Sequence, residues 1–98
     1  MHYVMFYEYS SDYLERRGQF RGEHLRLAWE SNARGELQLG GAFADPADGA
    51  LLIFTCDSTE VPARFAAADP YVQNGLVKRH WVRAWTTVVG RDAATPLR

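Results

Sequence analysis

Cys56 is the only cysteine in 98 residues, so no disulfide framework staples this chain and no cysteine cluster can grip a metal. It sits in the apolar run "ALLIFTC", where a small buried hydrophobe is the expected role. Charge of one sign is also missing. Eleven basic and twelve acidic residues leave a net charge of −1. That balance excludes the electrostatic footprint of a protein gripping nucleic acid through its phosphates. No apolar run approaches the roughly 20 residues that cross a bilayer. The leading "HYVMFYEY" has neither the charged start nor the small-residue cleavage site of a signal peptide. A soluble, cytoplasmic protein with no membrane and no nucleic-acid partner is expected. The three histidines, His2, His24 and His80, show no ligand spacing. The "GG" at 40–41 follows a strand but opens no helix, so it is no phosphate cradle. Neither a metal nor a cofactor is expected.

Large apolar groups, by contrast, are plentiful. Three Trp, five Tyr and five Phe contribute to a 47% hydrophobic content, which marks a globular chain and not a disordered one. Its length suits one domain, expected over residues 1–90, with "RDAATPLR" at 91–98 as a tail with little to anchor it. A chain this short buries only about 60–65% of the surface that its unfolded form exposes.

The order of elements is legible from breakers and periodicity. "HYVMFYEY" is aromatic and β-branched without a breaker, a strand. "SSD" supplies capping side chains for a long helix that runs to about Ala33, and Gly35 ends it. "ELQLGGAF" is a short strand and "ADPADG" a turn cluster, followed by the strand "ALLIFTC". "DSTEVPARFAAAD" starts a second helix, with Pro62 tolerable only near its first turn. "PYVQNGL" reads as a break and "VKRHWVRAWTTVVG" as the last strand. The sequence β-α-β-β-α-β predicts an α+β fold of the ferredoxin-like type with an antiparallel sheet.

These strands are apolar on both faces. Tyr3, Met5 and Tyr7 alternate with Val4 and Phe6; Leu51 and Ile53 alternate with Leu52, Phe54 and Cys56; Val82 and Ala84 alternate with Trp81 and Trp85. Two helices cover one face only, and the other exceeds what a monomer normally exposes. A homodimer packed sheet to sheet is therefore expected.

"FRGEHLRLAW" places His24 on the helix side shared by Tyr13, Phe20, Leu27 and Ala28, with Arg17, Arg21 and Ser31 within or bordering that stripe. Burying such polar groups unpaired is costly. A cavity between the first helix and the sheet, lined by polar and apolar groups together, would accommodate them. Asp69 ends the second helix, where the helix dipole disfavours a carboxylate. Two roles are open to it: capping the turn before Pro70, or pairing with an imidazole or guanidinium. His24 likewise is either a hydrogen-bonded core residue or a proton-transfer group, and Arg21 either an edge residue with its stem on apolar surface or an anion contact.

The pieces "FRGEHL", "GELQLGGAFADPADGALLIF" and "ARFAAADPYVQNGLVKRHWVRAW" resemble the YCII-related (YciI-like) family, over about Tyr3 to Val89. Its most specific parts are Arg21, His24 and Leu25 in the first helix, then Asp69, Pro70, Tyr71, Gly75 and Leu76. The resemblance implies a dimeric α+β barrel and a catalytic dyad of His24 and Asp69 in a pocket. A pocket of that kind takes a small-molecule ligand. Beside the dyad, Tyr7, Phe6, Trp81 and Tyr71 are candidates for its aromatic walls and Arg21 for steadying an anionic substrate or enolate, so Arg21, Tyr71 and Trp81 are the candidate substrate contacts. One member is implicated in removing chloride from a chlorinated hydroxyquinol, so a lyase or isomerase acting on a small cyclic or aromatic substrate is expected. Members often carry Gly-Pro where this chain reads Gly41-Ala42, which bears on the shape of the loop before Asp45. The alternatives are a non-catalytic metabolite-binding or interaction module and, from other dimeric α+β barrels, a haem-handling or cofactor-free oxygenase.

Overall fold

The computed structural model describes residues 1–98 throughout. Strand β1 (His2–Tyr9) leads into helix α1 (Tyr13–Ala33), then strands β2 (Leu37–Ala42) and β3 (Gly49–Thr55). Helix α2 (Glu60–Ala68), a short helix α3 (Pro70–Gln73) and strand β4 (Val77–Trp85) complete it. All pairings are antiparallel and the strand order is β2-β3-β1-β4. This is the ferredoxin-like α+β arrangement that the element order predicts.

Each boundary has a local cause. Asp12 sits at the start of α1 without bonding its backbone; it accepts from Ser10 Oγ at 2.6 Å instead. Gly35, at φ +82°, turns the chain out of α1, a conformation that costs glycine little. β4 is shorter than expected: it ends at Trp85, which pairs with His2, the first residue of β1. α3 lies where the sequence suggested only a break. Its first residue is Pro70, which needs no hydrogen bond at that position. Beyond β4 the chain makes hydrogen bonds to its own residues 87 and 88. Thr95 N–H donates to Thr87 C=O, Leu97 N–H to Val88 C=O and Ala94 N–H to Thr87 Oγ1.

The core joins one sheet face to the helices. Met5, Tyr7 and Tyr9 of β1 meet Leu52 and Phe54 of β3, Phe65 and Ala66 of α2, Tyr13 of α1 and Tyr71 of α3. Burying such groups stabilises by roughly 25 cal/mol per Å² of apolar surface. The opposite face carries Val4, Phe6, Leu51, Ile53, Trp81 and Trp85, and no helix packs on it. No helix is long and apolar enough to cross a membrane.

Candidate functional site

Asp69 is fully buried. It stands at the junction of two helices, ending α2 and capping α3, with ψ at 119°; the proline that follows favours that extended geometry. Its Oδ1 accepts from Tyr71 N–H at 3.0 Å and lies 2.8 Å from His24 Nδ1. Its Oδ2 accepts from the Tyr7 hydroxyl at 2.6 Å. The two roles open to Asp69 in the sequence are therefore both filled, and by the same oxygen. Three donors offset the cost of burying the carboxylate.

His24 comes from the middle of α1, 45 residues away in the chain. Its ring stacks on Tyr71, with centroids 3.9 Å apart and planes 6° from parallel. Phe65 meets it edge-on at 6.4 Å. A carboxylate at Nδ1 selects the tautomer with the proton on that nitrogen. Nε2 has no hydrogen-bond partner, and no buried side-chain polar atom in the structure goes unsatisfied. Nε2 therefore opens onto the space beside it.

That space is a cavity of about 460 Å³ between α1 and the sheet. Its wall on α1 includes Arg17, Arg21, His24, Leu25 and Trp29. Its floor is built by β1, β2 and β3, including Tyr7, Tyr9, Leu37, Gly40 and Leu52. The helix needs room here, and Gly40 and Gly41 present no side chains to fill it. The mixed lining is the one that the polar groups in the helical stripe predict.

Tyrosines form a connected layer around the pair. Tyr9 stacks on Tyr13 with centroids 3.6 Å apart, and Tyr13 meets Tyr71 edge-on at 5.7 Å. Burial is the main cause pushing the Tyr7 phenol well above its ordinary range, with the Asp69 charge adding to it. Tyr9 is raised in the same direction by burial, then by its neighbour Tyr13. Tyr71 is pushed up to about 12, again chiefly by burial. These phenols are neutral donors at physiological pH.

The structure thus brings His24, Asp69, Arg21 and Tyr71 to one place. Trp81 is not among them. It pairs with Phe6 across β1 and β4, stacked at 5.2 Å on the face of the sheet that the helices leave open. The Arg79 guanidinium lies 4.4 Å from the centre of the Trp81 ring. The helical stripe around His24 points to Tyr13 and Arg17 as cavity residues but not to Trp29, and the sequence reading does not name Tyr9. Tyr7, a candidate aromatic wall, instead holds Asp69 through its hydroxyl. The alternation of β1 puts Tyr7 and Tyr9 on the side of Met5, a signal that was present in the sequence.

A family model, the YCII-related domain, matches residues 1–86. No curated protein matches the chain. Among solved structures, it is similar to 5-chloro-2-hydroxyhydroquinone dehydrochlorinase (TftG) from Burkholderia phenoliruptrix, in complex with 2,5-dihydroxybenzoquinone. The TM-score is 0.76 at 22% identity, over 89% of this chain and 95% of that one. It is also similar to protein Atu4242 from Agrobacterium tumefaciens, with a TM-score of 0.57 at 15% identity, over 96% and 98% of the two chains. At these identities the likenesses establish the shared ferredoxin-like fold.

Proposed function

The chain belongs to the YCII-related family, and on that premise we propose that it is a small-molecule lyase or isomerase whose cavity beneath α1 is the active site. One observation carries the reading. His24 Nδ1 is bonded to a buried carboxylate while Nε2 faces a cavity large enough for a ring compound.

In this reading Nε2 takes a proton from the substrate and returns it at the departing or receiving atom. Asp69 is a positioning residue: it fixes the tautomer and stabilises the imidazolium that forms. Tyr7 and the Tyr71 backbone hold the carboxylate in turn, so the pair needs no rearrangement as charge develops. Tyr71 and Arg21 contact the substrate. Positioned proton transfer of this kind contributes about 10²- to 10⁴-fold in rate. The structural likeness to a dehydrochlorinase bound to a small quinone supports a cyclic or aromatic substrate and elimination or tautomerisation as the reaction. A homodimer formed through the open sheet face belongs to the same proposal.

A panel of halogenated dihydroxybenzenes and small cyclic enols, assayed for halide release and for isomerisation, tests it. Turnover by the wild type that falls at least about 10²-fold in His24→Gln supports the reading. Ligands that bind equally to both proteins with no turnover by either would identify a binding module instead.

A further inference from the structure

Five arginines lie on α1 or just beyond it, and they divide into two groups. Arg16 reaches Asp12 and donates to Asn74 C=O, Arg26 is bound by Glu23 and Glu30, and Arg34 pairs with Glu36. Arg17 and Arg21 make no ion pair and no hydrogen bond to another residue's carboxylate. These two are the arginines on the cavity wall, and no carboxylate-bearing side chain lines that cavity. The cavity therefore presents two cations and no anion.

Their position along α1 matters as much as their charge. At 1.5 Å of rise per residue, Arg21 and Arg17 lie about 4.5 and 10.5 Å along the helix axis from His24. Leu25, Ala28 and Trp29 line the cavity on the other side of His24, and Trp29 is 68% exposed at its mouth. Along α1 the lining runs from the two cations, through the imidazole, to Leu25, Ala28 and Trp29, with Asn32 beyond them donating to Leu37 C=O. Arg17 rests over the Tyr13 ring at 5.7 Å, which restrains it toward the cavity. Both guanidiniums also act on the Tyr71 phenol, opposing the rise in its pKa.

We propose that the substrate carries a carboxylate, held by Arg17 and Arg21, on a ring whose reacting atom lies at His24 Nε2 and whose apolar edge points toward Trp29. This rests on the enzymatic reading for the reaction and adds the substrate class and its orientation. Arg17 lies about two turns of α1 from His24, so an anion held between Arg17 and Arg21 is a substituent of the ring and not the oxyanion formed during proton transfer. A carboxylate matches the planar fork of a guanidinium, and binding energy gained at such a remote group positions the reacting atom.

The test uses the full chain and measures binding of benzoate and its ring-hydroxylated derivatives, their carboxamides, and phenylphosphonate, by calorimetry and by quenching of tryptophan fluorescence. The acids are expected to bind more tightly than the amides, and raising salt should erode that difference. Arg17→Met and Arg21→Met should each weaken the acids by about 10- to 100-fold and leave the amides unchanged. Lysine at either position should restore part of the loss, and His24→Gln should still bind the acids. Trp29→Ala should abolish the quenching. Equal binding of acids and amides, a preference for the phosphonate, no binding of any probe, or arginine variants that bind the acids normally would each overturn the proposal. Turnover of neutral rings that ignores both arginines would sink it while sparing the enzymatic reading. Arginine-dependent binding of acids with no turnover of any compound would do the reverse.

Discussion

Replacing Tyr7 with Phe takes one donor from Asp69 and leaves the ring in the core. Its hydroxyl bonds Oδ2 at 2.6 Å, and both groups are buried, so Oδ2 would lose the only partner it has. Tyr7→Phe is expected to lower stability by about 1–3 kcal/mol, measured by denaturant unfolding. Asp69→Asn is the sharper probe of the pair itself. One oxygen, Oδ1, serves both His24 Nδ1 and Tyr71 N–H, so the amide oxygen keeps both contacts and the substitution removes the negative charge alone. Activity should drop by about 10²- to 10⁴-fold because the imidazolium formed during proton transfer loses its counter-charge, while the cap on Tyr71 N–H survives. Undiminished turnover by Asp69→Asn would mean that Asp69 serves only as a cap. Much of this was legible in the residues: a histidine in a mixed stripe, and a carboxylate at an unfavourable helix end. What joins them is tertiary, since no spacing rule relates positions 45 residues apart. Tyr7 escaped because its hydroxyl role depends on where α2 ends above the sheet, which alternation along β1 does not encode.

Elements, not single groups, decide the shape of the cavity floor. β3 begins at Gly49, whose backbone approaches Tyr7 so closely that an added Cβ would lie 2.5 Å from the Tyr7 carbonyl oxygen. Gly49→Ala must push β3 away from β1, at a cost of about 1–3 kcal/mol typical of overpacking, and a lowered Tm checks it. The tyrosine layer between α1, α3 and β1 sets a limit in alkali. Burial raises Tyr71 from 10.0 to about 12, and Tyr7 and Tyr9 rise in the same direction. Below pH 10.0 both folded and unfolded chains keep the Tyr71 proton, and its contribution is complete. Above that the unfolded chain ionises first, so stability should fall from pH 10.0 and its loss should be complete at about 12. Tyrosinate absorbance should therefore rise together with the loss of far-UV circular dichroism; ionisation of all five tyrosines in a folded chain would contradict it. The order β-α-β-β-α-β was readable from breakers and periodicity. α3 was not, because four residues are too few to show a helical period, and neither was the end of β4, which depends on where its partner β1 begins.

The molecule as a whole has one face finished and one unfinished. Helices cover Met5, Tyr7, Leu52 and Phe54, while Phe6, Leu51, Ile53, Trp81 and Trp85 form an apolar surface with Trp81 38% and Trp85 45% exposed. The same alternation that places Tyr7 under α1 places Trp81 here: His80 is opposite Tyr7 and Trp81 opposite Phe6 in the register of β1 and β4. Trp81 is a pocket candidate only as an aromatic side chain, because its strand alone does not say which face meets the helices; the register with β1 places it beside Phe6, away from the site. A second copy set against this face would bury the stacked Phe6–Trp81 pair, and large aromatic groups of this kind are the ones that carry interface energy. A short chain with a small core gains stability from such an interface. The expected outcome is a sedimenting mass of two chains for the wild type and a shift toward one chain for Trp81→Arg. That variant should leave Nε2 of His24 and the cavity untouched, because Trp81 contacts neither. Its Tm should become less dependent on protein concentration than the wild type's. Wild-type protein that sediments as one chain at high concentration would show that this face is not joined to a second copy.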